Sequence, residues 1–108
     1  MKLVHISFRF EYTEDVDLIL QENQVADFVL YPMIQGRGQD GKHFGTQVFP
    51  GNFSVVQAAV EDHQVKRLLE DLQQFRQSKK SHEHLRAWVV PVEQGLDPGQ
   101  DLKGREGD

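Results

Sequence analysis

The residues with the clearest capacity for chemistry lie in one glycine-rich stretch, IQGRGQDGKHFGTQVFPGN, at positions 34–52. This stretch contains more than half of the chain's nine glycines, together with Arg37 and Lys42. Successive glycine amides beside two cations suit a bound anion, because the backbone N–H groups can converge on it. The stretch is also much longer than most loops in compact domains, and such loops are usually functional or unstructured. Anion binding and a plain, solvated hairpin loop are therefore both open at this point.

Two phosphate-binding motifs are matched only in part. Positions 36–41 fit the pattern G-x-G-x-x-G, and positions 36–43 fit most of G-x-x-x-x-G-K-[ST], with His43 in place of the hydroxyl residue. Both motifs need a helix directly afterwards, so that the helix amides meet the phosphate. Glycine and proline follow here instead, at Gly45 and Pro50. We therefore dismiss a dinucleotide fingerprint and a nucleotide-hydrolysing P-loop.

The five histidines raise a metal-binding alternative. His82 and His84 flank one glutamate, and on an extended segment their side chains would point the same way. With His43 brought near by the fold or by a neighbouring subunit, they would form a three-imidazole site. No H-x-x-x-H pair and no cysteine supports this interpretation. A solvated polar loop at the end of a helix is the simpler explanation of SHEHL.

Catalysis is not indicated by any arrangement of side chains. The four serines have no nucleophile-elbow context, and no nucleophile, base and acid fall into a recognisable set. The acidic pairs at positions 14–15 and 61–62 precede or open predicted helices, where capping and the helix dipole explain them. We therefore expect a binding protein and not an enzyme.

Composition indicates one ordinary globular domain. The chain has 108 residues, no cysteine and a formal net charge of -5. Its acidity argues against a main role in gripping nucleic acid. No apolar run is long enough for a membrane span, and the N-terminus lacks a signal-peptide pattern, so we expect a cytoplasmic protein.

Hydrophobic periodicity predicts four strands and two helices. Apolar residues alternate in the strands and recur at helical spacing in the helices, with Thr13 and Asp62 as the expected N-caps and Asn23 as the stop of the first helix. Pro32 is expected at an edge position or a bulge, since it has no amide to donate. The predicted strands span residues 2–10, 26–34, 53–60 and 85–93, and the predicted helices span 13–23 and 61–81.

The resulting order, β-α-β-β-α-β, predicts an α+β, ferredoxin-like fold. Its four-stranded antiparallel sheet carries both helices on one face, and its long loop joins strands 2 and 3. Residues 1–94 form the predicted domain, and residues 95–108 form a glycine-rich flexible tail. Tyr31, Met33 and Trp88 are expected on the sheet face without helices, and large groups on such a face predict self-association.

Three segments in this order resemble the PII signal-transduction superfamily. IQGRGQDGKH is similar to the base of that family's long loop, VEDHQVKRLLEDL to the third-strand exit and second helix, and WVVPVEQ to the last core strand. The resemblance covers roughly residues 1–94. It implies a homotrimeric sensor that binds an adenine nucleotide between subunits. The loop over residues 36–51 would then report the bound state to a transporter, enzyme or regulator, including by peripheral contact with a membrane protein.

The resemblance also implies a set of nucleotide-binding residues. Gly36, Arg37 and Gly38 match the loop base that meets the nucleotide, and Arg86 matches a basic residue that contacts phosphate. Lys79 and Lys80 fall in the segment before the last strand, which is glycine-rich in the family.

Two departures indicate a divergent, PII-like member that does not regulate nitrogen assimilation by covalent modification. The segment SKKSHEHL has no glycine, and the long loop is shorter than in the nitrogen-regulating proteins and lacks their modifiable tyrosine. The CutA-like trimers, which share the fold and are associated with divalent metals, give the alternative: a metal-binding trimer that uses His43, His82 and His84. An interaction module without a small ligand is the third hypothesis.

Overall fold

The computed structural model describes residues 1–34 and 53–96, and residues 35–52 and 97–108 lie outside this description. Four strands form one antiparallel sheet in the order β2-β3-β1-β4, which confirms the predicted element order and the ferredoxin-like α+β fold. The strands are β1 (Lys2–Arg9), β2 (Val29–Ile34), β3 (Phe53–Val60) and β4 (Arg86–Pro91), and the helices are α1 (Thr13–Glu22) and α2 (Asp62–Ser78).

Both helices cover the same face of the sheet. Alternate residues of the two central strands are buried against apolar residues of the helices, as the period-two pattern requires. The strand contribution is Val4, Ile6, Phe8, Val56, Ala58 and Val60, and the helix contribution is Val16, Leu20, Leu68 and Leu72. The other face of the sheet has no helix among the described residues, and we call it the open face.

The start of each helix differs from the prediction by a residue. Thr13 is the first residue of α1 and not its cap, because a short 3₁₀ helix (Phe10–Tyr12) precedes it and the Thr13 hydroxyl donates to Phe10 O over 2.6 Å. The N-cap of α2 is Glu61 and not Asp62, and the Glu61 N–H donates to Oε1 of Gln64 over 2.8 Å. Asp62 instead lies 2.8 Å from the N-terminal amine of Met1. The hydrogen bond from this amine lowers the pKa of the Asp62 carboxyl.

The two edge strands are shorter than predicted. β2 begins at Val29 and not at residue 26, and β4 spans Arg86–Pro91 and not 85–93. Pro32 lies on the edge strand β2, and its register against β3 shifts between Tyr31 and Ile34. The expectation that Pro32 occupies an edge position or a bulge is confirmed by its place on an edge strand.

The C-terminal end of α1 is tied to α2 by a buried asparagine. Asn23 is 6% exposed, and its Nδ2 donates to Ile19 O and to Oδ2 of Asp71, each over 2.9 Å. Nε2 of Gln64 donates back to Asn23 O over 3.1 Å. Asn23 ends α1 as predicted, and the next residue, Gln24, has a positive φ of 62°.

Candidate anion-binding site

The predicted nucleotide-binding residues attach to one end of the sheet. Ile34 pairs with Phe53, so the segment 35–52 leaves and re-enters the sheet at the same place. Phe53 pairs with Arg9, the last residue of β1, and Arg86 opens β4 opposite Ser7. The end of β2, the start of β3, the end of β1 and the start of β4 therefore lie at the same end of the sheet, which we call the loop end.

Of the predicted nucleotide-binding residues, three are described. Lys79, Lys80 and Arg86 are all exposed, with Lys79 directly after α2 and Lys80 at the start of a second 3₁₀ helix (Lys80–His82). Gly36, Arg37, Gly38 and His43 lie outside the described residues. The structure thus brings the segment of the two lysines to the strand of Arg86.

The segment 79–85 is folded by a chain of backbone hydrogen bonds and not by a glycine nest. The N–H groups of His82, Glu83 and Leu85 donate to carbonyl oxygens of Lys79, Lys80 and His82 over 3.0, 3.1 and 3.2 Å. Nε of Arg76 donates to Glu83 O over 3.0 Å, which ties the segment to α2. These hydrogen bonds close the 3₁₀ turn, so the segment has a defined fold although it contains no glycine.

His82, in the middle of this segment, is buried. Its ring stacks on Phe75 with centroids 3.9 Å apart and planes at 9°, and Tyr12 packs edge-on against it at 4.6 Å. Nδ1 lies 2.9 Å from Phe75 O and 3.1 Å from the Ser78 hydroxyl. The prediction of a solvated loop is wrong for His82, which is only 6% exposed.

His84 uses both ring nitrogens in hydrogen bonds. The backbone N–H of Arg9 donates to Nε2 of His84 over 2.8 Å, and Nδ1 lies 2.8 Å from Ser81 O. Because the amide can only donate and the carbonyl can only accept, the neutral ring carries its proton on Nδ1. Burial lowers the pKa of His84, and the nearby Arg9 charge lowers it further, while the bond to Ser81 O opposes these effects.

The hydrogen bonds of the two histidines bear on the metal hypothesis. The segment of His82 and His84 is not extended, because residues 80–82 form a 3₁₀ helix, and Nδ1 of each ring faces a backbone carbonyl. Within residues 1–34 and 53–96, no three His, Cys, Asp or Glu side chains are placed to hold a metal ion. A site that also uses His43 stays a prediction.

Two arginines at the loop end were not singled out from the sequence. Arg9 lies on the same sheet face as Ser7 and Arg86, one strand away from the latter, and its guanidinium is 3.6 Å from Glu11. Arg76 reaches the segment 79–85 from the last turn of α2. The alternation of β1 marks Arg9 as a residue of the open face, but nothing in the sequence places it beside His84, 75 residues later.

The open face carries large exposed groups, as predicted. Trp88, Val29 and Tyr31 are 64%, 51% and 47% exposed. A polar row crosses the middle of the face: the Tyr31 hydroxyl donates to Oε1 of Gln57 over 3.3 Å, and Nε2 of Gln57 lies 3.1 Å from Nε2 of His5. The prediction for the Met33 side chain falls outside the described part of the structure.

Solved structures of PII-like proteins share this fold. CPII, a nitrogen regulatory PII-like protein from Thiomonas intermedia K12, bound to ADP, AMP and bicarbonate, superposes with a TM-score of 0.67 at 19% identity, over 84% of this chain and 88% of that chain. CPII bound to ADP and bicarbonate gives a TM-score of 0.68 at 18% identity, over 84% of both chains. A candidate PII-like signalling protein from Thermus thermophilus gives 0.60 at 19% identity, over 84% of this chain and 85% of that one.

The sequence matches no protein-family profile and no curated protein. The structural likeness therefore confirms the resemblance to PII-like proteins at the level of the fold. In the described part of the chain, no helix is both long and apolar enough to cross a membrane.

Proposed function

We propose that this chain is a divergent PII-like sensor protein that binds an adenine nucleotide and signals its presence to a partner protein. The observation that carries the proposal is the convergence at the loop end of the sheet. Both ends of the segment 35–52, the two lysines after α2 and Arg86 are attached there. The CPII structures support it, because that protein has the same fold and is bound to ADP.

The phosphates of the nucleotide are the ligand groups that these residues suit. The guanidinium groups of Arg37 and Arg86 can each form a bidentate fork on phosphate oxygens, and Lys79 or Lys80 adds a third positive charge. Gly36 and Gly38 let the backbone approach the ligand closely. Lys79, Lys80 and Arg86 are exposed, so their side chains can reach a ligand without an unfolding step.

Signalling requires an assembly and an output surface. The exposed groups of the open face fit an interface between copies of this chain, and a homotrimer places the nucleotide in the clefts between subunits. The loop over residues 36–51 would then signal the bound state to a cytoplasmic enzyme, a regulator or the cytoplasmic side of a transporter. This role is that of a sensor and not of an enzyme, with residues 1–94 as the working domain and the remainder as a tail.

The test is a calorimetric titration of the purified protein with ADP, AMP and ATP, with and without bicarbonate, and with Zn²⁺ alone. Arg86→Gln removes the described guanidinium. Lys66→Gln is the matched control, because Lys66 is also cationic but lies on α2, near its N-terminal end. The wild type and Lys66→Gln should bind one nucleotide equally, and Arg86→Gln should bind it about ten- to a hundredfold more weakly, as expected for a lost charged hydrogen bond.

Equal nucleotide affinity of Arg86→Gln and wild type contradicts the assigned site. If the wild type binds Zn²⁺ and no nucleotide, the result favours the metal-binding trimer. If it binds none of these ligands, the hypothesis of an interaction module without a small ligand is favoured.

A further inference from the structure

Two histidines fasten the stretch between α2 and β4, in addition to the hydrogen bonds that Arg76 and Tyr12 make to it. His82 fastens its first half to the end of α2, through Phe75 O and the Ser78 hydroxyl. His84 fastens its second half to β1, through the backbone N–H of Arg9. Only the second fastening crosses from the helix layer to the strand that lies next to β4.

The bond from Arg9 continues a strand pairing that the backbone no longer makes. β4 pairs with β1 up to Ser7 and Arg86, and the same register extended by two residues places residue 84 opposite Arg9. The backbone does not continue as a strand there, because the 3₁₀ turn and its hydrogen bonds occupy residues 80–85. Nε2 of His84 accepts the amide instead, so a side chain closes the sheet where the main chain turns away.

The ring of His84 also contacts the start of β3 and the first 3₁₀ helix. It stacks on Tyr12 with centroids 5.6 Å apart, and Phe53 packs edge-on against it at the same distance of 5.6 Å. The hydroxyl of Tyr12 donates to the Ser81 hydroxyl over 3.0 Å, which holds the same turn from the other side. His84 therefore lies between the start of β3 and the segment that contains Lys79 and Lys80.

We propose that His84 is a positioning residue of the anion site: by accepting the Arg9 N–H, it holds the turn of Lys79 and Lys80 against the strand end where Arg86 begins. The inference rests on the proposed nucleotide binding. In this segment a side-chain nitrogen accepts the Arg9 N–H, where a backbone carbonyl would accept it in a continued strand. His84 need not touch the nucleotide, because its effect is transmitted through the position of the turn.

The test compares two substitutions of nearly equal size. In His84→Gln, Oε1 lies about where Nε2 of the imidazole lies and can accept the same amide, whereas His84→Met has a similar length and only a weak sulfur acceptor. Both remove the ring, so the difference between them isolates the hydrogen bond. ADP affinity is measured by calorimetry at about pH 7.5 for the full chain, where the neutral ring predominates, together with hydrogen exchange of peptides over residues 79–85.

The expected result is rescue by the acceptor. His84→Gln should bind ADP within about twofold of wild type, and His84→Met should bind at least about fivefold more weakly, as for one lost hydrogen bond. Exchange in residues 79–85 should rise in His84→Met and not in His84→Gln. If His84→Met does not fold, His84→Asn replaces it, since its shorter amide can reach Ser81 O but not the Arg9 amide.

Three outcomes overturn the inference. Wild-type ADP affinity in both the Gln and the Met variant shows that the acceptor has no role in binding. Equal weakening of both shows that the ring, and not the bond to Arg9, matters. If the wild type does not bind ADP, the proposed function itself is wrong. This outcome differs from the other two because the wild type alone shows it.

Discussion

Trp88 lies directly opposite His5 across the β1–β4 ladder, on the sheet face that no described helix covers. His5 is in turn joined to Gln57 and Tyr31 by the polar row of the open face. A large, mostly exposed indole next to such a row is typical of a residue that is buried in an assembly. The polar groups can orient the partner subunit through hydrogen bonds, and the indole supplies apolar contact area.

Replacement of Trp88 by a charged residue should therefore prevent assembly. Light scattering of the wild type should give about three times the chain mass of 12.4 kDa, and Trp88→Glu should give the mass of one chain. Burial of an unpaired carboxylate in an interface is unfavourable, which is the reason for the expected loss. Leu18→Glu is the matched control, because Leu18 is a similarly exposed apolar residue, at 54%, but lies on α1. A trimer in Trp88→Glu would contradict the assigned interface.

The buried amide of Asn23 should contribute more to stability than its small size suggests. Asn23→Ala removes two hydrogen bonds and takes a partner from Asp71. We expect the free energy of unfolding to fall by about 1–3 kcal/mol, measured by urea denaturation at one fixed protomer concentration. Gln21→Ala is the control: Gln21 is exposed, its side chain donates to Asp17 on the helix surface, and its loss should change stability by less than about 0.5 kcal/mol. Equal effects of the two substitutions would contradict this account.

Gln24 offers the opposite case, a position where substitution should stabilise the protein. Its φ of 62° lies in the left-handed region, which glycine adopts without a Cβ clash. Gln24→Gly should raise the free energy of unfolding by about 0.5–1 kcal/mol, since relief of the strain outweighs the entropy that glycine loses on folding. Gln24→Ala retains the strain and should not stabilise. Denaturant midpoints of the two variants, measured side by side, decide the question.

Periodicity was sufficient for the fold because the core is built from alternate residues of β1 and β3 and from one stripe of each helix. The caps were predictable only to within a residue. The choice of Glu61 over Asp62 depends on the side chain of Gln64, and the 3₁₀ helix before Thr13 has no periodic pattern of its own. Such choices are decided by local hydrogen bonds that a hydrophobic pattern does not contain.

The site was less predictable than the fold because its positioning contacts are long-range. The polar string SHEHL indicates a solvated loop, yet His82 is buried by Phe75 and His84 is bound by Arg9. Ser54 shows the same limit in the core. The alternation in β3 gives only the face on which its side chain lies, and not that its hydroxyl is buried without a hydrogen-bond partner among the described residues. The resemblance to the PII superfamily suggests Lys79, Lys80 and Arg86 as candidate residues, but it does not predict the contacts of His82 and His84 that hold this segment.

The protonation of His84 should make stability depend on pH in a known direction. Its pKa lies below the ordinary histidine value of 6.5, chiefly because of burial, so the fold favours the neutral ring. As pH falls below that value, the unfolded chain takes up a proton before the folded chain does, and the stability that His84 contributes is lost until the lowered pKa is passed. Above pH 6.5 this contribution is fully present.

We therefore expect the wild type to lose more stability than His84→Gln between about pH 8 and pH 5, because glutamine accepts the Arg9 amide and does not titrate. The measurement is the free energy of unfolding from urea denaturation of both proteins across this range, at one ionic strength and one protomer concentration. The difference cancels the contributions of the other histidines and of the carboxyl groups. Parallel pH profiles of the two proteins, or a steeper loss in His84→Gln, would show that the fold does not hold His84 in its neutral form.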